Sequence, residues 1–157
     1  MSEQAGGARF LGRATSLETY ARSVLWVRIL VAIVFTTEGI QKFLFADALG
    51  VGRFAKIGIP FPEVMAPFVG GVEIVFGIAV LLGLYTRLSA APLLITISVA
   101  IISTKIPILL HSGFWAMAHE GRTDFSMLLS LIFLIRVGSG DWSLDRHLAS
   151  RAQGTGA

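Results

Sequence analysis

No cysteine occurs anywhere in the 157 residues. Disulfides, thiolate metal sites, iron–sulfur ligation and dithiol exchange are all excluded by that absence, and any redox role must borrow its electron carrier. Charge is scarce as well: charged residues make up 15% of the chain against 54% hydrophobic ones, and the mean hydropathy is +0.74. A soluble domain carries about a quarter charged residues, so the solvent implied here is a lipid bilayer. The net charge is +3 and the pI about 9.8, yet the 13 basic residues are scattered between apolar runs. That pattern excludes a nucleic-acid binder and marks the basic residues as membrane flanks. A phosphate-binding glycine loop, a nucleophile elbow and a dinucleotide fingerprint are missing too.

What is present is four apolar runs. Residues 24–43, 66–85, 88–110 and 123–142 each approach the about 20 residues that cross about 30 Å of hydrocarbon as helix. The fourth is interrupted soonest: its apolar part covers 125–135, and Arg136 must snorkel if the helix continues, a re-entrant or tilted segment being the alternative. The expected fold is all-α, an integral membrane four-helix bundle with a short amphipathic loop on the outer surface. Its expected divisions are an N-terminal cytoplasmic tail at 1–23, the four-span domain at 24–145, and a flexible cytoplasmic tail at 146–157.

Orientation follows from the basic residues. Arg9, Arg13, Arg22, Arg87, Arg136, Arg146 and Arg151 fall on one side, while Arg53, Lys56 and Arg122 fall on the other. Both termini are therefore expected in the cytoplasm. Trp26, Tyr85 and Trp142 then form an aromatic belt on the cytoplasmic side, and the first span reads as an uncleaved signal anchor because TTEGIQKF and no small-x-small site follows its apolar stretch. Between the first two spans, glycines, Pro60 and Pro62 alternate with Phe54, Ile57 and Phe61. This stretch is expected as a short amphipathic turn or helix on the outer surface, ended by Pro-x-Pro. The segment HSGFWAMAHEGRT is expected as an apolar loop packed over the outer mouth of the bundle.

Four stretches also share a pattern: Arg28 followed by Gly39 and Lys42; the run 58–90; His111 with Gly113 and Phe114; and Gly138, Gly140, Ser143, Leu144 and Asp145. On these residues the chain resembles the DoxX family of small four-span membrane proteins, related to the small subunit of a thiosulfate:quinone oxidoreductase. It departs from that pattern at Asp124, where glutamate is expected. The resemblance implies the fold and a location in a prokaryotic cytoplasmic (inner) membrane. Beyond these it implies a membrane subunit or anchor of a quinone-linked oxidoreductase, with a partner that owns the redox centre and with quinone as the ligand.

Ionisable residues inside the spans suggest where such a ligand would sit. A charge at membrane depth costs about 2.5–3.5 kcal/mol on insertion scales, so it faces the bundle interior and pairs. Glu38 and Lys42 stand four apart on one helix face, Glu73 reaches similar depth, and Lys105 and Asp124 lie near the outer ends of the third and fourth spans. Together with His111 they form the candidate cluster. Its structural reading pairs Glu38 with Lys42 and Glu73 with Lys105; its functional reading is a site for a polar headgroup, with lysines donating to quinone carbonyls beside Phe43, Phe114 and Trp115. Gly70 and Gly77 flank Glu73 on a face that lets helices approach. Ser89, Thr96 and Ser103 form an inward polar stripe, and Pro107 frees the Ser103 carbonyl so that the helix kinks at Lys105. His111, His119, Glu120 and Asp124 match no metal-ligand spacing, so no metal is expected. Gly138-x-Gly140 reads as helix termination, with Ser143 capping a short helix that carries Asp145, Arg146 and His147. The alternative to a quinone-linked subunit is a non-enzymatic scaffold or a small permease, for which an inverted repeat would speak; the two halves show no mirror pattern.

Overall fold

A computed structural model of the chain describes the backbone of residues 2–154 and the side chains of residues 22–150. Its elements, all helical among the described residues, are α1 (Ser2–Leu44), α2 (Val51–Lys56), α3 (Pro62–Leu82), α4 (Thr86–Ala100), a π-helical turn (Ile101–Lys105), α5 (Ile106–Val137) and α6 (Leu144–Gly154). Three stretches, Arg22–Leu44, Pro62–Leu82 and Thr86–Val137, are long and apolar enough to cross a bilayer. The third, 52 residues long, breaks inside α5 at Gly113 (φ 81°, ψ 175°). Residues 86–112 and 114–137 are therefore two antiparallel spans, and the bundle has four.

The apolar surface is turned outward. Trp26, Leu30, Ile33, Phe68, Val75, Ile95 and Leu129 are exposed, which is the arrangement of a protein whose solvent is hydrocarbon. Inside, Val24, Val31, Phe35, Val80, Leu93, Ile97, Met127, Leu131 and Leu134 form the core.

Helix α1 packs most extensively on α3, and glycine explains the closeness. A Cβ on Gly39 would stand 2.7 Å from the Gly70 carbonyl oxygen, and one on Gly70 would meet the Phe43 ring at 2.8 Å, so the backbones touch where larger residues would hold them apart. The end of the bundle where α2 lies is called the loop end below, and the end carrying the chain termini the terminal end.

Helix α3 starts at Pro62, where a proline fits because its missing N–H is an orphan anyway. It ends in a Schellman closure: Gly83 (φ 67°) donates to the Val80 carbonyl at 3.1 Å, and Leu84 to the Ala79 carbonyl at 2.9 Å. Widening at Ile101–Lys105 accompanies Pro107, which cannot donate to Ser103, and the kink expected at Lys105 takes this π-helical form.

The segment expected as a loop over the mouth of the bundle is corrected. Apart from Gly113 it is helical, and Phe114 and Trp115 are exposed in the first turn of the fourth span. One residue with positive φ reverses the chain, so no loop is needed. The fourth span accordingly covers 114–137 and not 123–142, stopping where Gly138 (φ 90°) leaves the helical region.

Candidate functional site: paired charges around a cavity at the loop end

The Gly39–Gly70 crossing carries the first pair. Lys42 Nζ lies 2.6 Å from Glu73 Oε2, with side chains only 11% and 9% exposed. Glu38, one turn earlier on α1, reaches the same ammonium at 3.9 Å and keeps its side chain 55% exposed. The second pair spans the Gly113 break: Lys105 Nζ donates to Asp124 Oδ2 at 3.0 Å. Gly121 lies beside the pair, where a Cβ would meet the Phe125 ring at 2.7 Å.

Glu73 thus takes Lys42, and Lys105 takes Asp124, which corrects the pairing of Glu73 with Lys105. The reason is helix adjacency. The close α1–α3 crossing sets the Lys42 stem against Glu73, while the α5 break folds Lys105 and Asp124 onto neighbouring faces of one hairpin. Three carboxylates share two lysines, and Glu38 is left with the longest contact.

Glu38, Lys42, Glu73 and Asp124 line a cavity of about 380 Å³, within the about 300–1,000 Å³ of small-molecule sites. Lys105 stands behind Asp124 and supports it. Apolar walls come from Phe35, Phe54, Met65, Phe68, Ile97 and Met127; Thr96 and Ser103 of the polar stripe also line it, with Thr104 beside them, while Ser89 of the stripe does not. Ser103 and Thr104 hydroxyls donate to the Val99 and Ala100 carbonyls at 2.8 and 2.6 Å, satisfying the widened helix. Helix α2 and the strand of chain after it cover the cavity through Arg53, Phe54, Ile57 and Ile59, so the expected amphipathic segment is a lid over the site.

The structure does not bring His111 to the cluster: it is exposed and outside the lining, as are Phe43, Phe114 and Trp115. His119 sits beside Arg122, whose guanidinium donates to its carbonyl at 3.0 Å.

A residue that charge pairing alone does not reveal holds the terminal end. Arg28 is 1% exposed. Its guanidinium donates to the carbonyls of Val80 (2.9 Å), Leu81, Ser139 (3.0 Å) and Trp142 (2.6 Å), joining α1 to the end of α3 and to the chain after α5. Next to it Asp145 accepts the Tyr85 and Thr86 amides at 2.6 and 3.1 Å, capping α4. Ser143 accepts the Arg146 amide at 3.2 Å, the expected cap of α6. An arginine inside the first apolar run with no acidic residue within a turn was the available signal. A larger groove of about 620 Å³ lies over this end, but it is open, and its Arg87 and Asp145 are already engaged by backbone groups.

A bundle of apolar helices enclosing paired charges and a lidded cavity defines a class, the integral membrane proteins with a polar site inside the span. The family is then plain: residues 23–116 match DoxX, and the chain belongs to the DoxX family. It is 54% identical over 141 residues to the uncharacterized membrane protein Rv3486 of Mycobacterium tuberculosis, covering 86% of each chain. It is 29% identical over 128 residues to a Bacillus subtilis protein named "Putative oxidoreductase CatD", covering 82% of this chain and 88% of that one. No solved structure matches it.

Proposed function

We propose that this DoxX protein is the membrane subunit of a quinone-linked oxidoreductase system, and that the loop-end cavity receives the quinone headgroup. The observation that carries the reading is the cavity's chemistry: a lysine, carboxylates and hydroxyls set among aromatic and aliphatic side chains. An apolar ring with two carbonyls needs that combination of slot and donors. The oxidoreductase name of the Bacillus subtilis relative supports the class of reaction. A bound quinone supplies two-electron, two-proton chemistry. The chain's own part is to hold and orient: Lys42 gives one N–H to Glu73 at 2.6 Å and one to the Glu38 carbonyl at 3.4 Å and keeps a third to donate into the cavity, and Glu38, with the longest contact and an exposed side chain, is the carboxylate that passes a proton. Without thiolates, the electrons come from a partner that owns the redox centre. We further infer from the Lys/Arg distribution that both termini face the cytoplasm, in the cytoplasmic membrane.

The test is extraction and thermal unfolding of protein purified in mild detergent. Quinone is expected above its level in the co-purified lipid, added quinone is expected to raise the unfolding temperature, and Glu38→Gln is expected to lower occupancy severalfold while leaving the fold intact. No excess quinone together with no thermal shift overturns the reading. A structural scaffold is then the better account, consistent with every buried lysine here already having its carboxylate.

A further inference from the structure

The same cavity has an edge that faces lipid. Phe68 on α3 and Ile95 and Val99 on α4 all line it, and all are exposed on the outside of the bundle, at 62%, 65% and 47%. A side chain that both lines a cavity and faces the surroundings marks an opening. Here three such side chains, all large and apolar, stand together where α3 and α4 face each other. The two helices join at the terminal end through the Gly83–Tyr85 turn, and by helix direction Phe68, near the start of α3, and Val99, near the end of α4, lie toward the loop end.

The lining also carries charge, through Lys42, Glu73 and Asp124, whose side chains are turned inward and paired. The cavity therefore joins exposed apolar side chains to buried charged ones, the combination that suits a molecule with a polar head and an apolar tail.

We infer that the gap between α3 and α4, framed by Phe68, Ile95 and Val99, is a lateral portal through which a tailed amphiphile enters from the bilayer, head first, leaving its tail between the two helices. This deepens the quinone-site reading and rests on it for the headgroup; the route rests on the rim alone. The competing route is from water at the loop end, marked by the exposed lining groups Glu38, Arg53 and Thr123.

The absence of cysteine makes the two routes separable. Thr96→Cys and, separately, Ser103→Cys each place one thiol inside the cavity. In protein reconstituted into phospholipid nanodiscs, a membrane-soluble maleimide is expected to label both positions at least tenfold faster than a charged, lipid-insoluble maleimide, with rates normalised to the same variants unfolded. Adding Ile95→Trp or Val99→Trp to fill the rim is expected to slow the membrane-soluble reagent at least fivefold and to leave the charged reagent unchanged. Equal or faster labelling by the charged reagent, labelling by neither, or indifference to the rim tryptophans overturns the portal. None of these results depends on quinone binding. A working portal with no bound quinone would therefore refute the headgroup assignment alone, and quinone binding with water-side labelling would refute the portal alone.

Discussion

Replacing Arg28 by methionine tests whether the terminal end is held by a dry knot of hydrogen bonds. Methionine replaces the apolar stem and omits the guanidinium, so the four carbonyl partners lose their donor. Val80 retains the Gly83 N–H at 3.1 Å, which leaves Leu81, Ser139 and Trp142 most affected. Hydrogen bonds from a charged group contribute about 1.5–3 kcal/mol each, giving about 6–12 kcal/mol for four. Removing a buried ion also returns several kcal/mol of desolvation. The net loss expected is about 2–5 kcal/mol. Arginine cannot escape by shedding its proton, so no ionisation change softens the effect. The assay is denaturant unfolding in mild detergent followed by circular dichroism, beside Arg146→Met as control. Arg146 meets Asp141 at 3.5 Å on an exposed surface, and such a pair contributes at most about 1 kcal/mol. If Arg28→Met falls within about 1 kcal/mol of the control, water reaches those carbonyls and the knot does not hold the helices.

Three other outcomes can be checked alongside. Glu73→Leu leaves Lys42 with Glu38 to turn to, whereas Lys42→Met leaves Glu73 with no cation, so Lys42→Met should cost about 1–2 kcal/mol more. A double-mutant cycle should couple Glu73 to Lys42 and not to Lys105; coupling to Lys105 instead would contradict the pairing. For topology, Lys56→Cys and Ser150→Cys should label from opposite faces of sealed inside-out and right-side-out vesicles, with Ser150→Cys on the cytoplasmic face; the reverse would invert the bundle. Gly52 is the wrong site for that probe, because any Cβ there collides with the Asp47 carbonyl.

Span number, the amphipathic loop-end helix and a close helix approach at the glycines flanking Glu73 were legible because each rests on local composition: apolar length, Pro-x-Pro and small residues; that α1 is the helix that approaches was not. The members of the charge cluster were legible for the same reason, being costly at depth. Their pairing was not, since it depends on which helices are neighbours and on where the third span turns into the fourth. Apolar content in 111–123 suggested a packed loop, and nothing local says that a single glycine suffices to reverse the chain. Arg28 and Asp145 stood in the sequence pattern, but their joint task is set by partners more than 50 residues away.

The Gly113 reversal has a consequence for how the chain can vary. Surface connections between helices ordinarily absorb insertions and deletions. Here the turn has no slack: one residue added anywhere between 114 and 123 would rotate Asp124 about 100° around its helix and shift it about 1.5 Å, carrying its carboxylate away from Lys105. Segment length is thereby as constrained as residue identity. A shift in that spacing would strand a lysine in the membrane as surely as deleting its partner would.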